Sequence, residues 1–83
     1  MKIVWDEPKR QRNIAIHGYD FADLDGDFFA SSLVIPAKDG RFMAIGRFRD
    51  LAILAVVFAP LGTEAISVIS MRDASRKERT VLR

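Results

Sequence analysis

The chain has 83 residues, 13 Lys and Arg against 11 Asp and Glu, a formal net charge of +2 and no cysteine. This length predicts one small domain. The absence of cysteine rules out disulfide frameworks and thiolate metal sites, and a single histidine leaves no basis for a His-built zinc site.

From the N-terminus, residues 1–5 read as a short strand. No signal-peptide pattern precedes the first charged residues, and the longest apolar run, 51–59, is far short of the ~20 residues that span a bilayer. A cytoplasmic protein with no membrane partner is the expectation. Asp6, Glu7 and Pro8 then give a helix start, with a capping side chain, an early acid and Pro in the first turn. That helix should run to His17, with Gly18 just past its end. Asp20 before Phe21 opens a second, short helix through Phe29, which Gly26 weakens.

Beyond residue 30 the hydrophobic period changes from 3.6 to 2. Segments 33–37, 41–48, 51–59 and 64–71 read as strands joined by turn-forming connections, and so as an antiparallel meander. Residues 51–58 are apolar on both faces, which marks a central strand covered on both sides. In 41–48, Phe42, Ala44 and Phe48 can face the core, leaving Arg41, Met43, Ile45 and Arg47 on the other face. The predicted fold is α+β: an antiparallel sheet of four to five strands with two N-terminal helices and one C-terminal helix.

The segment after Ile69 carries the strongest functional signal. Asp73 can cap a first turn, and Ser75 with Glu78 has the spacing of a capping box. Arg72, Arg76, Arg79 and Arg83 recur at i, i+4, i+7 and i+11, one face of a helix. Guanidiniums so arranged repel one another unless something anionic lies there, and Arg grips phosphate with paired donors. A merely solvated terminal helix is the competing reading. Charge is also unevenly distributed: residues 71–83 hold five basic and two acidic side chains, whereas residues 19–30 hold four aspartates and no basic residue. Such bipolarity points to a polyanion on one surface and a different partner on another.

Trp5-Asp6 followed by Lys9, then Asn13, His17-Gly18 and Phe21, then Arg41 with Gly46, and finally Ile69-Ser70-x-Arg72-x-Ala74 with Glu78-Arg79 resemble the BrnT toxins of bacterial type II toxin–antitoxin systems. The resemblance implies a RelE-like fold, a metal-independent endoribonuclease without cofactor that cleaves RNA and inhibits translation, and a BrnA-type antitoxin that binds operator DNA through a ribbon-helix-helix domain. The chain departs from that pattern in three places. Ile16 stands where a lysine is usual, Ser67 where an arginine is common, and Val81, Leu82 and Arg83 where an aromatic is common. A weakened or inactive relative that only binds its antitoxin or operator DNA is the alternative.

Metal-free RNA cleavage requires deprotonation of a 2′-OH, in-line geometry and stabilisation of the charge on the phosphorane. Arg72, Arg76 and Arg79 are the candidates for phosphate and transition-state contacts, with Arg41 able to complete the cluster. An ion pair across strands would equally explain Arg41. His17 is the one residue whose type ordinarily titrates near neutrality, hence a candidate acid or base, although a histidine closing a helix often only satisfies free carbonyls. Lys9 could contact RNA phosphate or be an ordinary exposed helix lysine. Glu78 is explained by its capping box, and Trp5 reads as core more readily than as a stacking platform for bases.

Overall fold

The computed structural model describes residues 1–82, and Arg83 lies outside the described residues. The elements are β1 (Lys2–Trp5), α1 (Glu7–His17), α2 (Gly26–Ser31), β2 (Leu33–Pro36), β3 (Phe42–Phe48), β4 (Ala52–Leu61), β5 (Ala65–Asp73) and α3 (Arg76–Arg79), with 3-10 turns at Phe21–Asp23 and Thr80–Leu82. The five strands form one sheet in the order β1-β5-β4-β3-β2. From β2 to β5 it is the expected antiparallel meander. The first strand breaks that rule: β1 pairs parallel with β5, Lys2 opposite Ala65 and Trp5 opposite Val68, so the sheet is mixed. Parallel pairing arises because α1 and the meander intervene before the chain returns to β1, a non-local outcome that no local turn signal encodes.

Helix ends follow cap chemistry closely. The Asp6 side chain accepts from the Lys9 N–H, and Gly18 takes the left-handed conformation at φ 77°, where glycine meets no Cβ penalty. The second predicted helix is divided. Asp20 caps the 3-10 turn at Phe21–Asp23, and Asp25 caps α2 by accepting from Phe28 N–H at 3.0 Å. Two competing caps five residues apart, with Leu24 extended between them, prevent a continuous helix over 21–29.

Alternation assigns the strand faces. Ala44, Leu54, Val56, Phe58, Ile66, Val68 and Met71 point to the face shared with Phe21, Leu24 and Phe28 and form the main core. Aromatic edges lock it, with Phe29 on Phe58 at 5.4 Å and Phe28 on Phe48 at 6.3 Å between ring centroids. On the opposite face a smaller cluster joins Ile45, Ala55 and Ala74, flanked by Met43, Ile53 and Leu82. The C-terminal segment therefore covers part of that face, and β4, in the middle of the sheet, is buried on both sides, as its unbroken apolar run requires. Trp5 is half-buried against the main core, edge-on to Phe21, and its indole N–H donates to Glu7.

β5 carries an irregularity next to α1. Val57 pairs with Ser70 but Phe58 pairs with Val68, so Ile69 is an extra residue in the ladder. Such a bulge bends the strand and re-aims its side chains.

Candidate functional site

β1 reaches only as far as Val68, leaving the edge of β5 beyond that point without a strand partner. Asn13 on α1 takes over there. Its amide donates to the Met71 carbonyl at 2.8 Å and accepts the Met71 N–H at 3.0 Å, and its second N–H donates to the Tyr19 carbonyl at 2.9 Å. Asn13 is the one buried polar residue among those described. Every hydrogen-bonding position of its nitrogen is used. The Tyr19 hydroxyl adds a bond to the Asp73 carboxylate, which raises the phenol's pKa above its ordinary value. Arg10 holds the same corner from outside, bonded to Asp20 at 2.7 and 2.9 Å and to Glu7 at 2.7 Å. The Arg10 guanidinium, followed by the Ala22 backbone N–H, draws the Asp20 carboxyl down to about 2.

These contacts seat α1 against β5 and leave a cleft of about 260 Å³ lined by Lys9, Arg12, Asn13, Ile16, His17, Ile69 and Ser70. Two of the sequence-derived candidates, Lys9 and His17, meet in it.

The arginines of the C-terminal segment are arranged differently from a single helical stripe. Arg72 is on β5, because the strand continues through Asp73 before turning. Ser75, rather than Asp73, caps α3; its hydroxyl accepts from Glu78 N–H at 3.1 Å while the Glu78 carboxylate accepts from Ser75 N–H at 2.8 Å. That capping box is the expected one. The helix starts only at Arg76 and ends at Arg79, so Arg76 and Arg79 share it while Arg72 approaches from the sheet. Arg83, the last member of the expected stripe, lies outside the described residues.

Glu78 also answers the repulsion expected among these cations. It receives both terminal nitrogens of Arg72, at 2.8 and 3.0 Å, in a bidentate pair with each side chain largely shielded. The Arg72 guanidinium, with the Ser75 backbone N–H behind it, brings the Glu78 carboxyl down to about 2, although burial opposes the shift. Arg72 is correspondingly held more firmly cationic. Its charge is balanced within the fold, whereas Arg76 and Arg79 are exposed and enter no ion pair among the described residues.

Arg41 stands apart from this group. It precedes β3 and closes the β2–β3 hairpin, its N–H bonded to the Lys38 carbonyl at 3.2 Å and its carbonyl accepting from Ala37 N–H at 2.9 Å. Arg72 lies opposite Ala55, which lies opposite Ile45. Arg41 is therefore about 13 Å along the sheet and about 10 Å across it from Arg72. Their backbones are thus roughly 16 Å apart, with β4 lying between β3 and β5.

The aspartates of residues 19–30 occupy a separate region. Asp23, Asp25 and Asp27 line a cleft with Arg47 and Arg49, and Asp23 pairs with Arg49 at 3.4 Å. Asp20 and Asp25 also serve as caps, so much of this local acidity has a folding role. Among the described residues no three His, Cys, Asp or Glu side chains come together in a group that could hold a metal ion.

Neither the place of Arg12 in the cleft lining nor the structural role of Asn13 is apparent from the sequence alone. Asn13 carried a local signal, as a polar residue on the face of α1 that also bears Lys9 and His17, but its partner at Met71 was not visible locally.

Comparison with known proteins decides the family. The sequence pattern of the family described as "Ribonuclease toxin, BrnT, of type II toxin-antitoxin system" matches residues 5–78. The chain belongs to the BrnT family. The crystal structure of the Brucella abortus ribonuclease toxin, BrnT, is 64% identical in sequence, with a TM-score of 0.86 over 92% of this chain and 99% of that one. No curated protein matches the chain. The BrnT match extends from Trp5 to Glu78, so it includes α1, the bulge of β5 and the capping box. No helix among the described residues is long and apolar enough to cross a membrane.

Proposed function

We propose that this BrnT-family chain is a cytoplasmic endoribonuclease toxin that cleaves RNA without a metal ion or cofactor, inhibits translation, and is silenced by a BrnA-type antitoxin that carries the pair to operator DNA. The observation that supports this reading, beyond family membership, is that Arg76 and Arg79 enter no ion pair among the described residues and sit on a short helix fastened to the sheet by Ala74 and Leu82.

In the reaction, the RNA 2′-oxygen attacks the adjacent phosphorus and the 5′-oxygen departs, leaving a 2′,3′-cyclic phosphate and a 5′-hydroxyl. Arg76 and Arg79 stabilise the negative charge that accumulates on the phosphorane oxygens, a task for which guanidiniums are suited. Arg72 contributes less free charge because Glu78 already holds it, and its larger share is to position α3 beside the substrate. His17 moves a proton between the 2′-oxygen, the 5′-oxygen and water, which asks it to shuttle rather than to remain in one state. Lys9 binds phosphate next to it, and Arg41, across the sheet, meets a different phosphate of the same strand.

A second reading has one observation in its favour. Ile16, exposed and apolar, lines the cleft between Lys9 and His17, and an apolar side chain there offers no contact to phosphate. In this reading the chain is a weakened toxin that binds antitoxin or operator DNA without cutting RNA. Expression in bacteria lacking the antitoxin separates the two. Growth arrest and falling protein synthesis, both relieved by the Arg76→Glu, Arg79→Glu double variant, support the enzyme; unimpaired growth with soluble wild-type protein supports the binding module.

A further inference from the structure

α1 sorts its cations into two groups. Arg10 is held by Glu7 and Asp20. Lys9 and Arg12 are exposed, enter no ion pair among the described residues, and line the cleft against the β5 bulge. They lie at i and i+3, neighbouring positions on a helix surface where like charges are mildly destabilising. Among the described residues no carboxylate lines the cleft. Asn13 is already saturated by Met71 and Tyr19, so the side-chain groups left to a ligand are those of Lys9, Arg12, His17 and Ser70.

We propose that Arg12, with Lys9 beside it, binds a backbone phosphate of single-stranded RNA in this cleft. The inference rests on the ribonuclease reading above and deepens it by adding a contact that the arginine stripe did not include. The size of the site agrees with it: about 260 Å³ lies below the ~300–1,000 Å³ of sites that enclose whole small molecules, and suits one phosphate and its sugar on a continuing strand. So does its place in the fold. Ser70, which lines the cleft, and Arg72 are two residues apart on β5, about 7 Å along the strand. A strand bound at the C-terminal arginines therefore reaches α1 within a step or two of its backbone. The bulge at Ile69 makes the opening, since it places two consecutive residues, Ile69 and Ser70, on the cleft wall.

The test is binding of a fluorescent 2′-O-methyl RNA oligonucleotide, which lacks the attacking hydroxyl and survives the titration, measured across a salt series. Arg12→Gln should weaken binding about fivefold or more and flatten the slope of log K against log salt by about 0.7, the value for one lost phosphate contact to a single strand. Arg12→Lys should keep the wild-type slope, and Arg49→Gln, which removes a cation already paired with Asp23, should keep both slope and affinity. Thermal melting of each variant confirms that the fold is retained; Arg12 is exposed, so its loss should leave the melting temperature unchanged. A wild-type slope in Arg12→Gln, an equal loss in Arg49→Gln, or no binding by the wild type would each overturn the proposal. Unchanged RNA affinity with weakened binding of an acidic antitoxin segment would overturn it too, assigning the cleft to protein. Because the probe cannot be cut, failure of the protein to cleave ordinary RNA would count against the ribonuclease reading alone.

Discussion

Asn13 and Met71, 58 residues apart in the chain, exchange two hydrogen bonds of 2.8 and 3.0 Å, so that a side-chain amide completes the edge of β5 where β1 ends. This pairing is the hinge of the candidate site, because it fixes the helix face bearing Lys9, Arg12 and His17 against the strand bearing Arg72. Asn13→Ala would strand the Met71 N–H and carbonyl in a buried place, at a cost of about 2–4 kcal/mol. Asn13→Asp should be no better, since a carboxylate accepts from Met71 N–H but repels the two carbonyls that the amide satisfied. Chemical denaturation measures both. A loss below about 1 kcal/mol in each would show that α1 is held by other means.

Glu78 should make stability sensitive to acid. Its carboxyl is held at about 2 in the folded protein, against an ordinary 4.5, chiefly by Arg72. A depressed carboxylate contributes fully above its unfolded pKa and loses its contribution as the pH falls towards the folded one. The advantage of wild type over Glu78→Gln should therefore be constant from pH 5 to 7, on the order of 1–3 kcal/mol for a charge-assisted, part-shielded pair, and shrink between about 4.5 and 2. Urea melts at a series of pH values provide the comparison. A gap that does not change over that window would mean that the Arg72–Glu78 pair contributes nothing electrostatic.

Gly46 illustrates a packing constraint. A Cβ added there would meet the Ser32 Cβ at 3.0 Å and the Ser32 Cα and a Phe28 ring carbon at 3.3 Å. The C-terminal end of α2 rests directly on the β3 backbone, and part of what a methyl would displace is main chain. Gly46→Ala should cost about 1–3 kcal/mol through overpacking, visible as a lower melting temperature. Unchanged stability would imply that α2 shifts freely on the sheet.

Much of this architecture was legible locally, because caps and turns are local chemistry. Asp6 with Pro8 and Gly18 bound α1 at both ends, and the apolar run of β4 announced a strand buried on both faces. The parallel β1–β5 pairing was not legible, since it depends on where the chain returns after the meander. The arginine stripe was half legible. Helical spacing from Arg72 to Arg83 was real as a pattern, yet alternation in β5 continued past Arg72, and Ser75 began the helix only afterwards. Lys9 and His17, placed on one helix, do share a cleft, while the place of Arg41 relative to Arg72 depends on cross-strand register. An arginine between Gln11 and Asn13 carries no motif; what distinguishes Arg12 from Arg10 is a three-dimensional property, the absence of a paired carboxylate among the described residues.

Control by an antitoxin leads to a charge-reversal experiment. If the antitoxin covers the exposed face of α3, Arg76→Glu should reduce RNA cleavage at least tenfold and weaken antitoxin binding together. Asp23→Lys should leave cleavage nearly intact, and it is a cleaner control than a change at Asp25, which caps α2. Cleavage lost with antitoxin affinity unaltered would place inhibition elsewhere, for instance on the 3-10 turn after Asp20.

The chemistry of the cut ends shows directly whether the 2′-oxygen is the attacking group. An end-labelled single-stranded RNA is incubated with the purified protein in excess EDTA, beside the same RNA carrying one 2′-deoxy substitution at the cut site. Attack by the 2′-oxygen should leave fragments ending in 2′,3′-cyclic phosphate and 5′-hydroxyl, and no cut at the substituted position. Cleavage that requires added magnesium, or that proceeds equally at the 2′-deoxy position, would contradict a guanidinium-assisted attack by the 2′-oxygen.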